Sequence, residues 1–92
     1  MAHFEWSPDK DRSNQEKHGV SFLEAATVFA DPLARTIADP RAYEGEYRWG
    51  TTGYTSERRL VVVWHTDRGE RIRIIGARDA TPHERRDYES EI

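Results

Sequence analysis

The arginines in the C-terminal half of the chain are the first candidates for chemistry. Those that fall on or at the end of predicted strands are Arg48, Arg71, Arg73 and Arg78. In an antiparallel sheet, side chains from neighbouring strands share a face, and a guanidinium donates two parallel hydrogen bonds to phosphate oxygens. Converging arginines therefore suit a phosphodiester. The alternative for any one of them is a salt bridge on a solvated sheet face, but for Arg73 and Arg78 together we favour the functional interpretation.

A polar helix carries the second set of candidates. Lys17 and His18 fall in its last turn, and Lys10 and Asn14 precede Lys17 at helical spacings, on one side of the helix. Lysine and histidine side chains both transfer protons in enzymes. The alternative, which composition alone favours, is that these cations only stabilise the C-terminal end of the helix dipole.

Other kinds of site have little support. His65 follows a tryptophan in a predicted strand and is a conceivable general base or acid, but we favour a histidine without a catalytic task. The histidines lack metal-ligand spacing, and the chain has neither a glycine-rich phosphate loop nor a Gly-x-Ser-x-Gly elbow. It has no cysteine. The sequence thus predicts no metal and no cofactor. We assign Trp6 and Trp49 to packing and leave Tyr88 open between packing and base stacking.

Caps and prolines define the helices that must position these side chains. Ser7 and Pro8 start a helix that runs to about His18, where Gly19 ends it. A capping box starts a second helix at residue 21, with Phe22, Ala25, Ala26 and Phe29 on its buried face, and Asp31-Pro32 ends it. A third helix starts at Thr81-Pro82 and runs to about Glu89.

Alternating apolar and polar residues define the strands, which we predict at 3–6, 33–38, 46–54, 59–66 and 70–78. A polar loop covers 39–45, and the last two strands form a hairpin over Asp67-Arg68-Gly69. The predicted fold is α+β in one domain over residues 1–92. Two N-terminal helices and a C-terminal helix pack with a roughly four-stranded antiparallel sheet.

Composition limits the function further. A chain of 92 residues buries only about 60 to 65% of the surface it exposes when unfolded, so a partner would stabilise it. The net charge of −3 and pI near 5.8 argue against a strongly basic nucleic-acid binder. The stretch from Arg48 to Arg78 is nevertheless rich in arginine. No segment resembles a signal peptide or a membrane span, which predicts a cytoplasmic protein.

Several strings, taken together, resemble the BrnT family of toxins over about residues 3–88. They are Phe4-Glu5-Trp6, Lys17-His18-Gly19-Val20-Ser21-Phe22, Glu24-Ala25-Ala26, Asp31-Pro32, the run Leu60–Val63 and the string Arg71–Arg78. The resemblance implies a RelE-like fold and a ribonuclease that inhibits translation. It also implies a BrnA-type antitoxin with a DNA-binding ribbon-helix-helix domain, in a heterotetramer that represses its own promoter. Position 76 is glycine where the family more often has serine.

The resemblance also assigns roles to residues. The family's polar positions fall on Lys10, Lys17, His18, Arg48, Arg73 and Arg78. No metal is implied, because RNA supplies its own nucleophile, the 2′-hydroxyl. We expect His18 or Lys17 to transfer the proton. Arg73 and Arg78 are expected to bind the phosphate with support from Arg48, and Lys10, Arg71 and Arg85 to contact RNA.

Two other functions compete with RNA cleavage. The first is a catalytically weak module that binds its antitoxin and co-represses their promoter, and the acidic pI and Gly76 favour it. The second is direct DNA binding, which ranks low because no helix carries a basic recognition face.

Overall fold

The computed structural model describes residues 3–41 and 47–90, and these have an α+β fold, as predicted. The described elements are β1 His3–Glu5, α1 Pro8–His18, α2 Phe22–Ala26, β2 Arg35–Ala38, β3 Arg48–Tyr54, β4 Leu60–Arg68, β5 Arg71–Asp79 and α3 Pro82–Ser90. A 3₁₀ turn, Thr27–Ala30, continues α2. In these two ranges, no helix has both the length and the apolar character needed to cross a bilayer.

The sheet has five strands in the order β1-β5-β4-β3-β2, and β1 runs parallel to β5. The prediction of roughly four antiparallel strands is therefore wrong in strand number and in the direction of one strand. Hairpin signals are local and report antiparallel neighbours, whereas the pairing of β1 with β5 joins segments far apart in sequence. The hairpin between β4 and β5 also closes more tightly than predicted, over Gly69-Glu70, with Gly69 at φ 62°.

Strand boundaries differ in smaller ways from those predicted. The strand predicted at 33–38 begins at Arg35, and the one predicted at 46–54 is described from Arg48. Residues 42–46, which include most of the predicted polar loop, lie outside the described residues.

One face of the sheet, the core face, is covered by α2 and the turn that follows it. Its buried side chains come from β4 and β5 on one side and from the segment 20–28 on the other: Val61, Val63, Ile74 and Ala77 against Val20, Phe22, Ala25 and Val28. Ala26 and Phe29 of the predicted buried helix face pack at the edge of this cluster. Trp6 also packs there, in an edge-to-face contact with Phe22, as predicted.

Helix α1 lies along the edge of β5 and buries none of its residues. Strand β1 pairs with β5 only at residues 71–73, and beyond that point Asn14 of α1 takes its place. The Asn14 amide donates to the carbonyl oxygen of Ala77 at 2.9 Å and accepts from the Ala77 N–H at 3.2 Å. Asn14 thereby pairs the backbone N–H and C=O of Ala77, which lie at the edge of β5 beyond the end of β1. These two hydrogen bonds also fix α1 beside β5.

The other face of the sheet, the open face, is covered by α3 over part of its area. Tyr88 of α3 is 3% exposed, stacks edge-on with Tyr54 and donates a hydrogen bond to Asp31 at 2.7 Å. Thr81 and Glu84 form a capping box at the predicted start of α3, since the backbone N–H of each donates to the side chain of the other. The rest of the open face is left uncovered by α3 and carries the polar side chains described next.

Candidate functional site

The four predicted arginines share the open face, and three of them lie in cross-strand rows that flank a tryptophan. The rows, read from β5 through β4 to β3, are Arg73-Thr66-Arg48, Gly76-Trp64-Gly50 and Arg78-Val62-Thr52. Neighbouring strands lie about 4.8 Å apart, so the Cα atoms of Arg48 and Arg73 are roughly 10 Å apart. The arginines thus lie on both sides of the Trp64 row.

Trp64 itself was not among the predicted site residues. Its indole lies across the sheet between two glycines: a Cβ at Gly50 would overlap Cζ3 and come within 2.9 Å of Cε3, whereas a Cβ at Gly76 would lie 3.5 Å from Cδ1. The run from Leu60 to Trp64 carried no local signal for it. Trp64 shares its parity with Leu60 and Val62, which are both buried, so the alternation of side chains does not set the tryptophan apart.

Arg41 lies over the indole and is paired with Asp39. The centre of its guanidinium is 4.8 Å from the ring centroid, and its Nε and backbone N–H donate to Asp39 Oδ1 at 3.1 and 2.9 Å. Burial alone would raise the pKa of Asp39. The hydrogen bonds from Arg41 and the charges of Arg41 and Arg48 outweigh burial and lower it. Asp39 is therefore a buried, ionised carboxylate that orients Arg41.

These residues surround a basin of about 310 Å³ on the open face. Its lining residues are Lys10, Asp39, Arg41, Arg48, Trp64, Ile75 and Gly76. Lys10 reaches it from α1, one helical turn before the Asn14 contact to β5. Three cations face one carboxylate, so this acidic protein has a locally positive site. Such an arrangement suits an anion with several oxygen acceptors, such as a phosphodiester.

Arg78 borders this basin, but an internal carboxylate occupies its guanidinium. Its two terminal nitrogens donate to the oxygens of Glu84 at 2.8 and 3.0 Å. This pair raises the pKa of Arg78 and, with the Thr81 hydrogen bonds, lowers the pKa of Glu84 to about 2. The guanidinium centre lies 5.9 Å from the Trp64 ring. Arg78 therefore ties the start of α3 to the sheet beside the indole.

Arg73 and Arg71 share a carboxylate on β1. Arg73 donates to Glu5 at 2.8 Å, and Arg71 lies 3.9 Å from the other Glu5 oxygen, which confirms that both arginines point to one face. Arg85 lies on the exposed side of α3, where it donates to the hydroxyl of Tyr54 at 3.3 Å. None of these three lines the basin.

Lys17 and His18 are exposed at the C-terminal end of α1. Seven residues separate Lys17 from Lys10, which places it about 10 Å further along the helix axis. They do not line the basin, so the structure does not bring this predicted pair together with Arg48. Their role in proton transfer stays a prediction.

His65 lies on the core face, away from the basin. It is 5% exposed, shares a 2.7 Å hydrogen bond between Nε2 and the Thr51 hydroxyl, and packs edge-on against Phe29. Burial lowers the pKa of His65, so the imidazole is neutral at physiological pH. The absence of a catalytic task for His65 stays a prediction.

Comparison with known proteins identifies the family. The family model described as "Ribonuclease toxin, BrnT, of type II toxin-antitoxin system" matches residues 6–84. Among solved structures, the Brucella abortus ribonuclease toxin BrnT superposes with a TM-score of 0.67 at 18% identity, over 88% of this chain and 99% of that one, which shows a shared fold. No curated protein sequence matches. The family match includes every described residue of the basin, and the chain belongs to the BrnT family of ribonuclease toxins of type II toxin-antitoxin systems.

Proposed function

We propose that this chain is a cytoplasmic endoribonuclease that binds the phosphodiester to be cut in the basin beside Trp64 and needs no metal ion. The observation that carries the proposal is the convergence of Lys10, Arg41 and Arg48 on one depression of an otherwise acidic protein. The family is described as a ribonuclease toxin, and this cluster supplies the positive charge and the N–H donors that suit a phosphodiester.

The proposed reaction is an internal transesterification. The 2′-oxygen of RNA attacks phosphorus and the bond to the 5′-oxygen breaks, which leaves a 2′,3′-cyclic phosphate and a 5′-hydroxyl. Arg48 and Arg41 donate hydrogen bonds to the non-bridging oxygens, where negative charge grows in the transition state. The Lys10 ammonium gives a proton to the departing 5′-oxygen, and solvent, which reaches the open basin, takes the proton of the 2′-hydroxyl.

The remaining predicted residues take supporting roles in this proposal. We assign proton transfer to Lys10 rather than to Lys17 or His18, because those two lie about two helical turns from the basin. They are proposed instead to contact the RNA chain where it leaves the basin along α1, and Arg71 and Arg85 to contact it elsewhere. Arg73 and Arg78 are proposed to add positive potential around the phosphate while they stay paired with Glu5 and Glu84.

The proposed partner is an antitoxin of the BrnA type, which dimerises through its ribbon-helix-helix domain and holds two toxins. An acidic segment of this antitoxin, laid over the part of the open face that α3 leaves uncovered, would neutralise the basin cations and exclude RNA at once. When the antitoxin is absent, RNA cleavage inhibits translation.

A second function has one observation in its favour. Arg73 and Arg78 are each engaged with an internal carboxylate, as in a protein whose arginines serve structure. Such structural arginines would be enough for a catalytically weak module that binds its antitoxin and co-represses transcription, because this function requires no arginine to contact RNA.

One experiment separates the two functions. The purified chain is incubated in excess EDTA with an RNA and with the same RNA carrying a single 2′-deoxy nucleotide at a cleavage position. Transesterification predicts cyclic phosphate ends on the RNA and no cut at the deoxy position. Intact RNA, together with retained binding of the antitoxin, would instead support the module.

A further inference from the structure

We propose that the Trp64 indole is the stacking platform for the nucleobase next to the bound phosphate, and that Arg41 covers this platform when RNA is absent. The inference rests on the proposed function, because it takes single-stranded RNA as the ligand. It adds a base subsite that the phosphate chemistry does not require.

The indole is positioned to present its outer ring surface to a ligand. Trp64 belongs to the central strand β4, whose other residues from Leu60 to Thr66 are buried. It is partly exposed itself, because α3 packs further along the open face, near Val62. The glycines at 50 and 76 leave room for the ring to lie along the sheet, where it forms part of the basin lining.

Arg41 behaves as a displaceable cover. Its guanidinium stacks on the ring at 4.8 Å, yet 70% of its side chain is exposed. A cation on an exposed aromatic ring is held only weakly, whereas a nucleobase on tryptophan gains contact over the whole ring. Asp39, whose side chain is only 2% exposed, keeps Arg41 at the rim after displacement, where its guanidinium meets the phosphate of the same nucleotide.

The subsite favours an unpaired nucleotide. The basin, of about 310 Å³, is at the lower end of the range for small-molecule pockets, roughly 300 to 1,000 Å³. Inside a duplex both faces of a base are covered by its stacked neighbours, so stacking on Trp64 selects single-stranded RNA. Stacking accepts any base, and the subsite should therefore raise affinity with little sequence preference.

The test compares ligands that differ by one base. The probes are a 2′-O-methyl oligonucleotide, which binds without being cut, and the same oligonucleotide with single abasic positions introduced one at a time. Titrations are followed through the three indole Nε1–H signals in the NMR spectrum, assigned with Trp64→Leu and Trp49→Phe variants. Trp49 is the matched control, because it lies in β3 with its side chain on the opposite face of the sheet.

We expect the Trp64 signal to shift most, and one abasic position to weaken binding about tenfold in the wild-type protein. In Trp64→Leu that position should no longer matter, whereas in Trp49→Phe the tenfold loss should persist. The oligonucleotide could bind, and Arg48→Ala could weaken its binding, while no abasic position changes the affinity of the wild-type protein. In that case the base subsite is wrong and the proposed function stands. If the wild-type protein binds no oligonucleotide and cuts no RNA, both are wrong. The wild-type comparison does not depend on any variant folding.

Discussion

The position of the Trp64 indole depends on the absence of a side chain at Gly50, and this dependence predicts opposite effects for two similar substitutions. A Cβ at Gly50 would overlap Cζ3 of the indole, so Gly50→Ala must move the ring or the strand. Overpacking of this kind costs about 1 to 3 kcal/mol, partly offset by roughly 0.5 to 1 kcal/mol from the lower backbone entropy of alanine in the unfolded chain. We expect a net destabilisation of about 1 to 2 kcal/mol.

Gly76→Ala is the matched control on the other side of the same ring. Its Cβ would lie 3.5 Å from Cδ1, which is an ordinary van der Waals contact, so only the entropic gain remains. We expect this variant to be neutral or up to about 1 kcal/mol more stable. By the same argument Gly76→Ser fits without displacing the indole.

The assay is urea-induced unfolding followed by circular dichroism, for both alanine variants alone and combined with Trp64→Leu. Leucine is too short to reach Gly50 as the indole does, so the cost of Gly50→Ala should largely disappear in that background, a coupling of about 1 to 2 kcal/mol. Equal stabilities for Gly50→Ala and Gly76→Ala, or a cost at Gly50 that persists with leucine at 64, would refute this placement of the ring.

Three further predictions concern the ion pair at α3, the contact of α1 with β5 and the choice of proton donor. The pKa of Glu84 is about 2 in the folded protein against an ordinary 4.5. The contribution of the ionised Glu84 to folding stability is therefore complete above pH 4.5 and is lost as the pH falls towards 2. The stability difference between wild type and Glu84→Gln, of about 2 kcal/mol at pH 6, should therefore shrink over that interval in urea unfolding, and a constant difference would contradict the assignment. Arg78→Ala, by the same pair, should lower the melting temperature as well as any activity. Asn14→Ala removes the hydrogen bonds to both backbone groups of Ala77 and should lower folding stability by about 2 kcal/mol. Gln15→Ala, on the exposed side of α1, should lower it by less than about 0.5 kcal/mol. Similar losses for the two variants would show that Asn14 does not hold the β5 edge. Lys10→Ala should slow RNA cleavage about a hundredfold and His18→Ala less than tenfold, and the reverse order would return proton transfer to the end of α1.

The helices and most strands could be predicted because their signals are local. Ser7 and Gly19 bound α1, the Thr81 and Glu84 pair starts α3, and the alternation in β5 places Arg71 and Arg73 on one face. Each of these features acts within a few residues of chain, so the sequence alone carries it.

The features that sequence reasoning missed all depend on contacts between distant segments. The parallel pairing of β1 with β5 has no local signal. The basin needs Lys10 from α1, Arg41 after β2 and Trp64 from β4 to meet, and only the assembled sheet brings them together. The sequence also suggested free arginines at 73 and 78, but it could not show that Glu5 and Glu84 lie within reach of them.

The most direct test of the central claim is RNA cleavage in excess EDTA by the wild-type chain, by Arg48→Ala and by Arg12→Ala. Arg48 lines the basin, whereas Arg12 forms a surface ion pair with Asp9 on α1 and provides the same change in charge elsewhere. If the basin binds the phosphodiester, Arg48→Ala loses about a hundredfold in rate, equivalent to roughly 3 kcal/mol of transition-state stabilisation, and Arg12→Ala stays within a few fold of wild type. Wild-type cleavage that Arg48→Ala retains in full, with both variants folded, would contradict the account.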